Sequence, residues 1–289
     1  LNRPPENQSE EDAVTIHPLA NEMLTAFEAS LSLKGRKHPN GPLFTGVDLG
    51  TAYIVTAVVD SMGVPVAGVV TRSESSIRDG LVLDYMGAIR LLREQVNCLR
   101  AAGFDIKKAA GAYPPGTVGR NAQAVSNVLF AADLVATSLI DEPSAAAKVL
   151  HITDGAVVDI GGGTTGISVI RDGEPIYTAD EATGGIHVDL VLAGHFKIPV
   201  EEAEKIKTDP ARQHEILPLV TPVFQKMASI VKQHLSGYSV DTLYLVGGTS
   251  CFPGIEAIME QETGLMVARP VNPLLVTPLG IALSCAEKA

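Results

Sequence analysis

Apolar residues along this chain follow two rhythms. Short continuous runs bounded by Gly, Asp and Ser read as buried strands, and residues recurring three and four apart read as helices. Leu43–Asp48, Tyr53–Val59 and Val64–Val70 are three strands in succession, the third following the turn Asp60-Ser-Met-Gly63. A helix over 86–101 carries Ile89, Leu92, Val96 and Leu99 on one face, and a strand over 108–113 runs into Tyr113-Pro-Pro-Gly116. A helix over 119–132 and a short strand lead to Asp141-Glu-Pro143 and the helix Ser144–Leu150.

The pattern then restarts. Ala156–Ile160 is a strand, Gly161–Thr164 a turn and Gly166–Ile170 a second strand, closed by the hairpin signal Arg171-Asp-Gly-Glu-Pro175. The strand–Asp–Gly–Thr–strand unit of 43–59 thus recurs at 156–170, which predicts two similar α/β halves facing each other. Beyond it lie helices over 200–207 and 216–236, a strand Thr242–Val246, a helix over 254–262 after Gly247-Gly-Thr-Ser250, and a last helix Pro278–Glu287. Ahead of this body, residues 1–16 are polar and acidic. Leu19, Met23, Leu24, Phe27 and Leu31 then form one helical stripe before the linker Lys34-Gly-Arg-Lys-His-Pro39. That stripe either packs on the body, the reading placed first, or docks into a partner's groove.

Composition narrows the classes. With 46% hydrophobic and 19% charged residues the chain buries a real core. A net charge of −11 excludes a general nucleic-acid binder, which needs clustered Lys and Arg, but not a nucleotide ligand held by backbone N–H groups and one metal ion. Cys98, Cys251 and Cys285 are too far apart for a metal motif. Their odd number and the absence of a leader point to a reducing cytosol, and no run is apolar enough for a membrane span.

The chemistry lies in the two hairpin turns. Gly50, Gly161, Gly162 and Gly163 lack Cβ, so backbone N–H groups can converge on phosphate oxygens, with Thr51 and Thr164 adding hydroxyls. Asp48 and Asp159 end the two equivalent strands and are placed to hold a hydrated Mg2+ ion. Gly247 and Gly248 let a nucleoside approach the backbone. A lone Asp-x-Gly-Thr is a common turn; two of them with Gly-Gly-Gly-Thr and a later Gly-Gly, in this order, are not a chance set.

In order, Gly46-Val-Asp-Leu-Gly-Thr51, Asp141-Glu-Pro-Ser-Ala-Ala-Ala147, Asp159-Ile-Gly-Gly-Gly-Thr164, Val246-Gly-Gly-Thr249 and Pro278-Leu-Gly-Ile-Ala282 resemble the signatures of the superfamily of sugar kinases, DnaK-type chaperones and actins. Arg78-Asp-Gly80, Pro114-Pro-Gly116, Gly184-Gly185 and Glu201–Lys207 are similar to MreB and FtsA patterns. Asp180-Glu-Ala-Thr-Gly-Gly185, Ala193-Gly194 and Glu201–Lys207, with the chain's size and short N-terminal helix, resemble the ethanolamine-utilisation EutJ family.

The resemblance implies an actin-like ATPase fold, two duplicated RNase H-like domains flanking a cleft for ATP and Mg2+. It places a tail at 1–42, domains at 43–154 and 155–276, and a helix at 277–289 returning to the first. Glu142 takes the place of a catalytic glutamate that orients or deprotonates water, with Asp159 as the second implied catalytic residue; alternatively Glu142 only complements a helix N-terminus. Glu204 and Lys207 are implied at ribose and adenine, or else form an ordinary solvated ion pair. The implied nucleotide contacts extend to Ala52, Tyr53, Thr165, Gly184, Gly185, Thr249 and Phe252. Ala52-Tyr53, Leu274 and the short 52–140 segment depart from DnaK-type chaperones, so ATP binding with slow hydrolysis is implied. The implied role is a cytoplasmic chaperone or assembly factor for microcompartment enzymes or shell proteins, and a homo-oligomer is consistent with it. Alternatives are a filament former, a reactivating factor for ethanolamine ammonia-lyase, or a small-molecule kinase, for which the 52–140 segment is short.

Overall fold

The computed structural model describes residues 16–33, 39–73, 85–115 and 120–287. The acidic tail, the linker at 34–38, Arg78-Asp-Gly80 and Gly116 lie outside the described residues. Strands β1 (Phe44–Leu49), β2 (Tyr53–Val59), β3 (Pro65–Arg72), β4 (Lys108–Tyr113) and β5 (Val135–Asp141) form one sheet in the order β3-β2-β1-β4-β5. Strands β6 (Gly155–Ile160), β7 (Thr165–Arg171), β8 (Glu174–Glu181), β9 (Thr242–Val246) and β10 (Met266–Ala268) form the other, β10-β9-β6-β7-β8. Read from the opposite edge, the second order repeats the first strand for strand, so the duplication seen in the hairpins extends to the whole sheet. In both sheets the first three strands are antiparallel and the last two parallel to the first. The chain has the actin-like ATPase fold.

The unbroken apolar runs of β2, β6 and β7 are explained by burial on both faces. Helices α2 (Tyr85–Ala101) and α3 (Arg120–Ala131) cover one face of the first sheet through Leu92, Val96, Leu99, Val128 and Leu129. The other face receives α4 (Glu142–Leu150) and the last helix, α9 (Val276–Glu287). These two helices cross so closely that a Cβ on Gly280 would stand 1.9 Å from the carbonyl oxygen of Ala145.

Helix α7 (Pro210–Leu235) packs Val220, Phe224, Met227 and Val231 on the second sheet. It begins a turn and a half earlier than its apolar pattern suggests, because Asp209 caps it by accepting from Ala211 N–H (3.0 Å) with Pro210 at its first position, and it runs on through Pro218 and Pro222. Both prolines are exposed, so the carbonyls freed by their missing N–H groups are on the wet side of the helix. Helices α5 (Gly185–Phe196), α6 (Val200–Thr208) and α8 (Ile255–Thr263) complete this half.

Helix α1 (Pro18–Ser30) packs on the body, in line with the first of its two readings. Ala20, Leu24 and Phe27 are fully buried. Phe27 lies over Gly68 of β3, while Asn21 accepts from the Val271 N–H (3.1 Å) and Glu28 from the Asn272 side chain (3.2 Å). The helix therefore touches both halves. None of the described helices is long and apolar enough to cross a membrane.

Candidate nucleotide site

A cavity of about 220 Å³ opens between the two hairpin turns. Asp48 and Asp159 occupy matching positions, one residue before the end of β1 and of β6, and each is paired to the facing strand of its hairpin. Gly162 lies against Thr51 and Ala52, so the turns meet: a Cβ there would fall 2.7 Å from that of Ala52.

The glycine turn is aimed by α5. The carbonyl of Gly161 accepts from Gly185 N–H (3.0 Å) and the Thr249 hydroxyl (2.7 Å), and that of Gly162 accepts from Ile186 N–H (2.8 Å). A peptide unit is planar and trans, so a carbonyl turned toward α5 sends the next N–H the opposite way. The N–H groups of Gly162 and Gly163 are thereby turned away from α5.

Three carboxylates converge at the other side of the turn. Glu142 is the first residue of α4, whose start is capped by Asp141 accepting from Ser144 N–H at 2.9 Å. Burial, then the charge of Asp159, pushes Asp48 up to about 7. Asp159 rises to about 6, mainly by burial, against a 2.9 Å hydrogen bond donated by Thr277. Glu142 is pushed well above the carboxylate range by burial and then by Asp159, Asp48, Asp180 and Asp141. The charged groups acting on all three are other carboxylates. Such a cluster fits a divalent cation or a set of shared protons. No group of three His, Cys, Asp or Glu side chains among the described residues makes a ready cation cage, so a metal would be held through water, as Mg2+ prefers.

Gly247 adopts φ +88°, and a Cβ there would collide with the Asp159 carboxylate at 2.2 Å. Only glycine permits both the conformation and the approach. Gly248 and Thr249 follow in a 3-10 turn, and Gly248, Thr249, Leu274, Tyr53, Glu204, Lys207 and Thr208 line the cavity beyond it. Glu204 and Lys207 do not pair with each other. Glu204 pairs with Arg72 of β3, and Lys207 donates to Asp189 at 2.7 Å and to the Gly185 carbonyl at 3.2 Å.

Of the residues assigned from the sequence, Asp48, Gly50, Thr51, Ala52, Tyr53, Glu142, Asp159, Gly161, Gly162, Thr164, Glu204, Lys207, Gly247, Gly248 and Thr249 line this one cavity. Gly163 lies at ordinary contact distance from Thr51. Gly184 and Gly185 stand behind the glycine turn and support it. Thr165 is buried and donates to the Thr183 carbonyl.

Phe252 is a correction. The 3-10 turn after Gly247 carries its ring into the core, 5.2 Å from the ring of Phe224 and away from the cavity. Cys251, next to it, is exposed. Sequence reasoning missed Arg72, Asp189 and Thr277, whose partners lie 132, 18 and 118 residues away. Thr277 adjoins the Pro278-Leu-Gly motif, the one signal that could have pointed to it.

The chain is 44% identical to the ethanolamine utilization protein EutJ of Salmonella typhimurium over 250 residues, 86% of this chain and 88% of that protein. It belongs to the EutJ family. A crystal structure of EutJ from Carboxydothermus hydrogenoformans is 48% identical, covers 91% of this chain and 97% of its own, and superposes with a TM-score of 0.85. The profile of the cell division protein FtsA matches residues 156–280. MreB5 of Spiroplasma citri bound to AMPPNP shares the fold at 17% identity, with a TM-score of 0.69 over 84% of this chain and 95% of that one. The chain is thus a member of an ethanolamine-utilisation family with the actin-like ATPase fold.

Proposed function

We propose that this EutJ-family protein binds ATP with Mg2+ in the cavity between its two sheets and hydrolyses it slowly. On this reading it serves as a chaperone or assembly factor of an ethanolamine-utilisation microcompartment. The observation that carries the nucleotide reading is the opposition of a glycine turn with outward N–H groups to three half-buried carboxylates whose charged neighbours among the described residues are other carboxylates. The two features suit a phosphate chain and its counter-ion. The MreB5 structure with AMPPNP supports the same reading at the level of the fold.

Magnesium, held through water by Asp48 and Asp159, would supply the charge that offsets the phosphates. Glu142 is a poor base while its neighbours hold its proton on; once they are neutralised it ionises and can orient the attacking water. Thr277 keeps the Asp159 carboxylate fixed while this happens. In domain terms, residues 43–154 with the helix at 277–289 form one body and 155–276 the other. Nucleotide would change the angle between them and so a surface that meets an enzyme or shell protein.

Calorimetry with ATP and Mg2+ tests the binding. Glu142→Gln is expected to keep ATP binding and lower hydrolysis on the order of 100-fold, within the usual range for a general base; no heat of binding for the wild type removes the proposal. A pull-down with the variant held in ATP identifies the client. The likeness to MreB5 favours a second reading, a filament, and sedimentation with ATP decides it: without a pelletable polymer it fails.

A further inference from the structure

A groove of about 1260 Å³ opens among α1, the β2–β3 turn, α4 and the end of α9. It shares no lining residue with the nucleotide cavity. Ala20, Leu24 and Phe27 carry α1 onto the body, which leaves the neighbouring row Leu19, Met23 and Ala26 to the groove. Met62 and Leu283 line it as well. Leu19 is 45% exposed and Met62 75%.

The exposure of Met62 is imposed by a fixed turn. The buried Asp60 carboxylate accepts from the N–H groups of Met62 (2.9 Å), Val64 (3.0 Å) and Asn40 (3.2 Å). An adaptable methionine on a rigid frame suits a binding surface, because little of the frame has to be ordered on contact.

Shape and charge select the occupant. The walls are largely helical, and helices pack ridge into groove against another helix. A helix of about eleven residues, roughly 10 Å across and about 16 Å long, has this volume. Glu22, Asp141 and Glu174 line the groove against Lys148, with His151 beside them. Asp141 is spent on the cap of α4, while Glu22 and Glu174 are exposed. The excess of carboxylates favours a basic occupant and opposes a second copy of this chain, whose net charge is −11.

We propose that this groove is a docking site for a basic amphipathic helix of a partner protein. Its apolar stripe would rest on Leu19, Met23 and Met62, and its Lys or Arg residues would lie beside Glu22 and Glu174. Such docking does not require nucleotide in the other cavity.

Fluorescence anisotropy with the full chain tests this, using three labelled peptides of about eleven residues. The first has leucines three and four apart and lysines on the flanks, the second has Glu for each Lys, and the third has a central Pro that breaks the helix. The first is expected to bind, and the other two about tenfold more weakly or worse. Glu22→Lys with Glu174→Lys should reverse the order of the first two peptides, and Met62→Ser should weaken the first by about tenfold. All three altered side chains are exposed, so melting temperatures should match the wild type. The proposal is overturned if the first peptide stays unbound at about 1 mM, if the Glu or Pro peptide binds as tightly, or if the double variant leaves the order unchanged. A wild-type dimer in ultracentrifugation that Met62→Ser dissociates would assign the groove to a second copy and overturn it equally.

Discussion

At the scale of single residues the site is a balance of unfavourable charges. Asp48 has its pKa moved from the ordinary 3.8 to about 7, with burial the first cause and Asp159 the second. The folded chain therefore holds this proton more tightly than the unfolded chain does. The stabilisation linked to it is complete below the ordinary carboxylate range and is lost as pH rises through about 7. Asp48→Asn removes the charge without changing the shape. It is expected to raise the stability of the nucleotide-free protein near pH 8 by about 1–2 kcal/mol, and by little near pH 4. Denaturant melts at the two pH values check this; equal effects at both would contradict it. The same variant should lose Mg2+-dependent ATP binding, since stability and function pull in opposite directions at such a site. These residue identities were legible because Asp and Gly recur in a fixed frame around both turns. The contact of Thr277 with Asp159 was not, since nothing local relates residues 118 positions apart.

At the scale of elements, local patterning succeeded where one period dominated. The hairpins β1–β2 and β6–β7 and the stripes of α2 and α7 were written in the chain, as was the turn that opens at Gly247. Strand β8 alternates exposed and half-buried positions with polar residues, and α5 is apolar around most of its surface, so neither announces a clear face. Strand β10 is only three residues long. The α4–α9 crossing shows how a motif glycine acts through packing, and not through ligand contact. Gly280→Ala would drive a methyl group into the backbone of Ala145, and neither helix can shift without disturbing the sheet beneath. A loss of about 3 kcal/mol or more is expected, at the severe end for overpacking. Thermal melts of Gly280→Ala beside Ser284→Ala, also buried on α9, separate this clash from general sensitivity. A loss no larger than that of Ser284→Ala would refute it.

At the scale of the whole molecule, the two halves are joined by an apolar cluster and by an ion pair at the cavity wall. Helices α1, α4 and α9 share one apolar cluster with Val157 and Val246 of the second sheet, which makes that side the stiffer one. At the cavity wall that Glu204 lines stands the Arg72–Glu204 pair, linking β3 of the first sheet to α6 of the second. If this pair tethers α6 to the first half, it slows the departure of a nucleotide seated on the glycine turn and against α6. The pair is partly exposed, with side chains 38% and 21% accessible, so its worth lies within the roughly 0–1 kcal/mol of surface ion pairs. That range converts to at most about a fivefold change in rate. Arg72→Ala is therefore expected to speed the release of a fluorescent ATP analogue by about two- to fivefold in stopped flow. Salt should shrink the difference, because it screens an exposed pair in the wild type and has nothing to screen in the variant. An unchanged release rate would place the barrier at the hinge behind the cavity. A slower one would mean that Arg72 weakens the bound state and contributes nothing to retention.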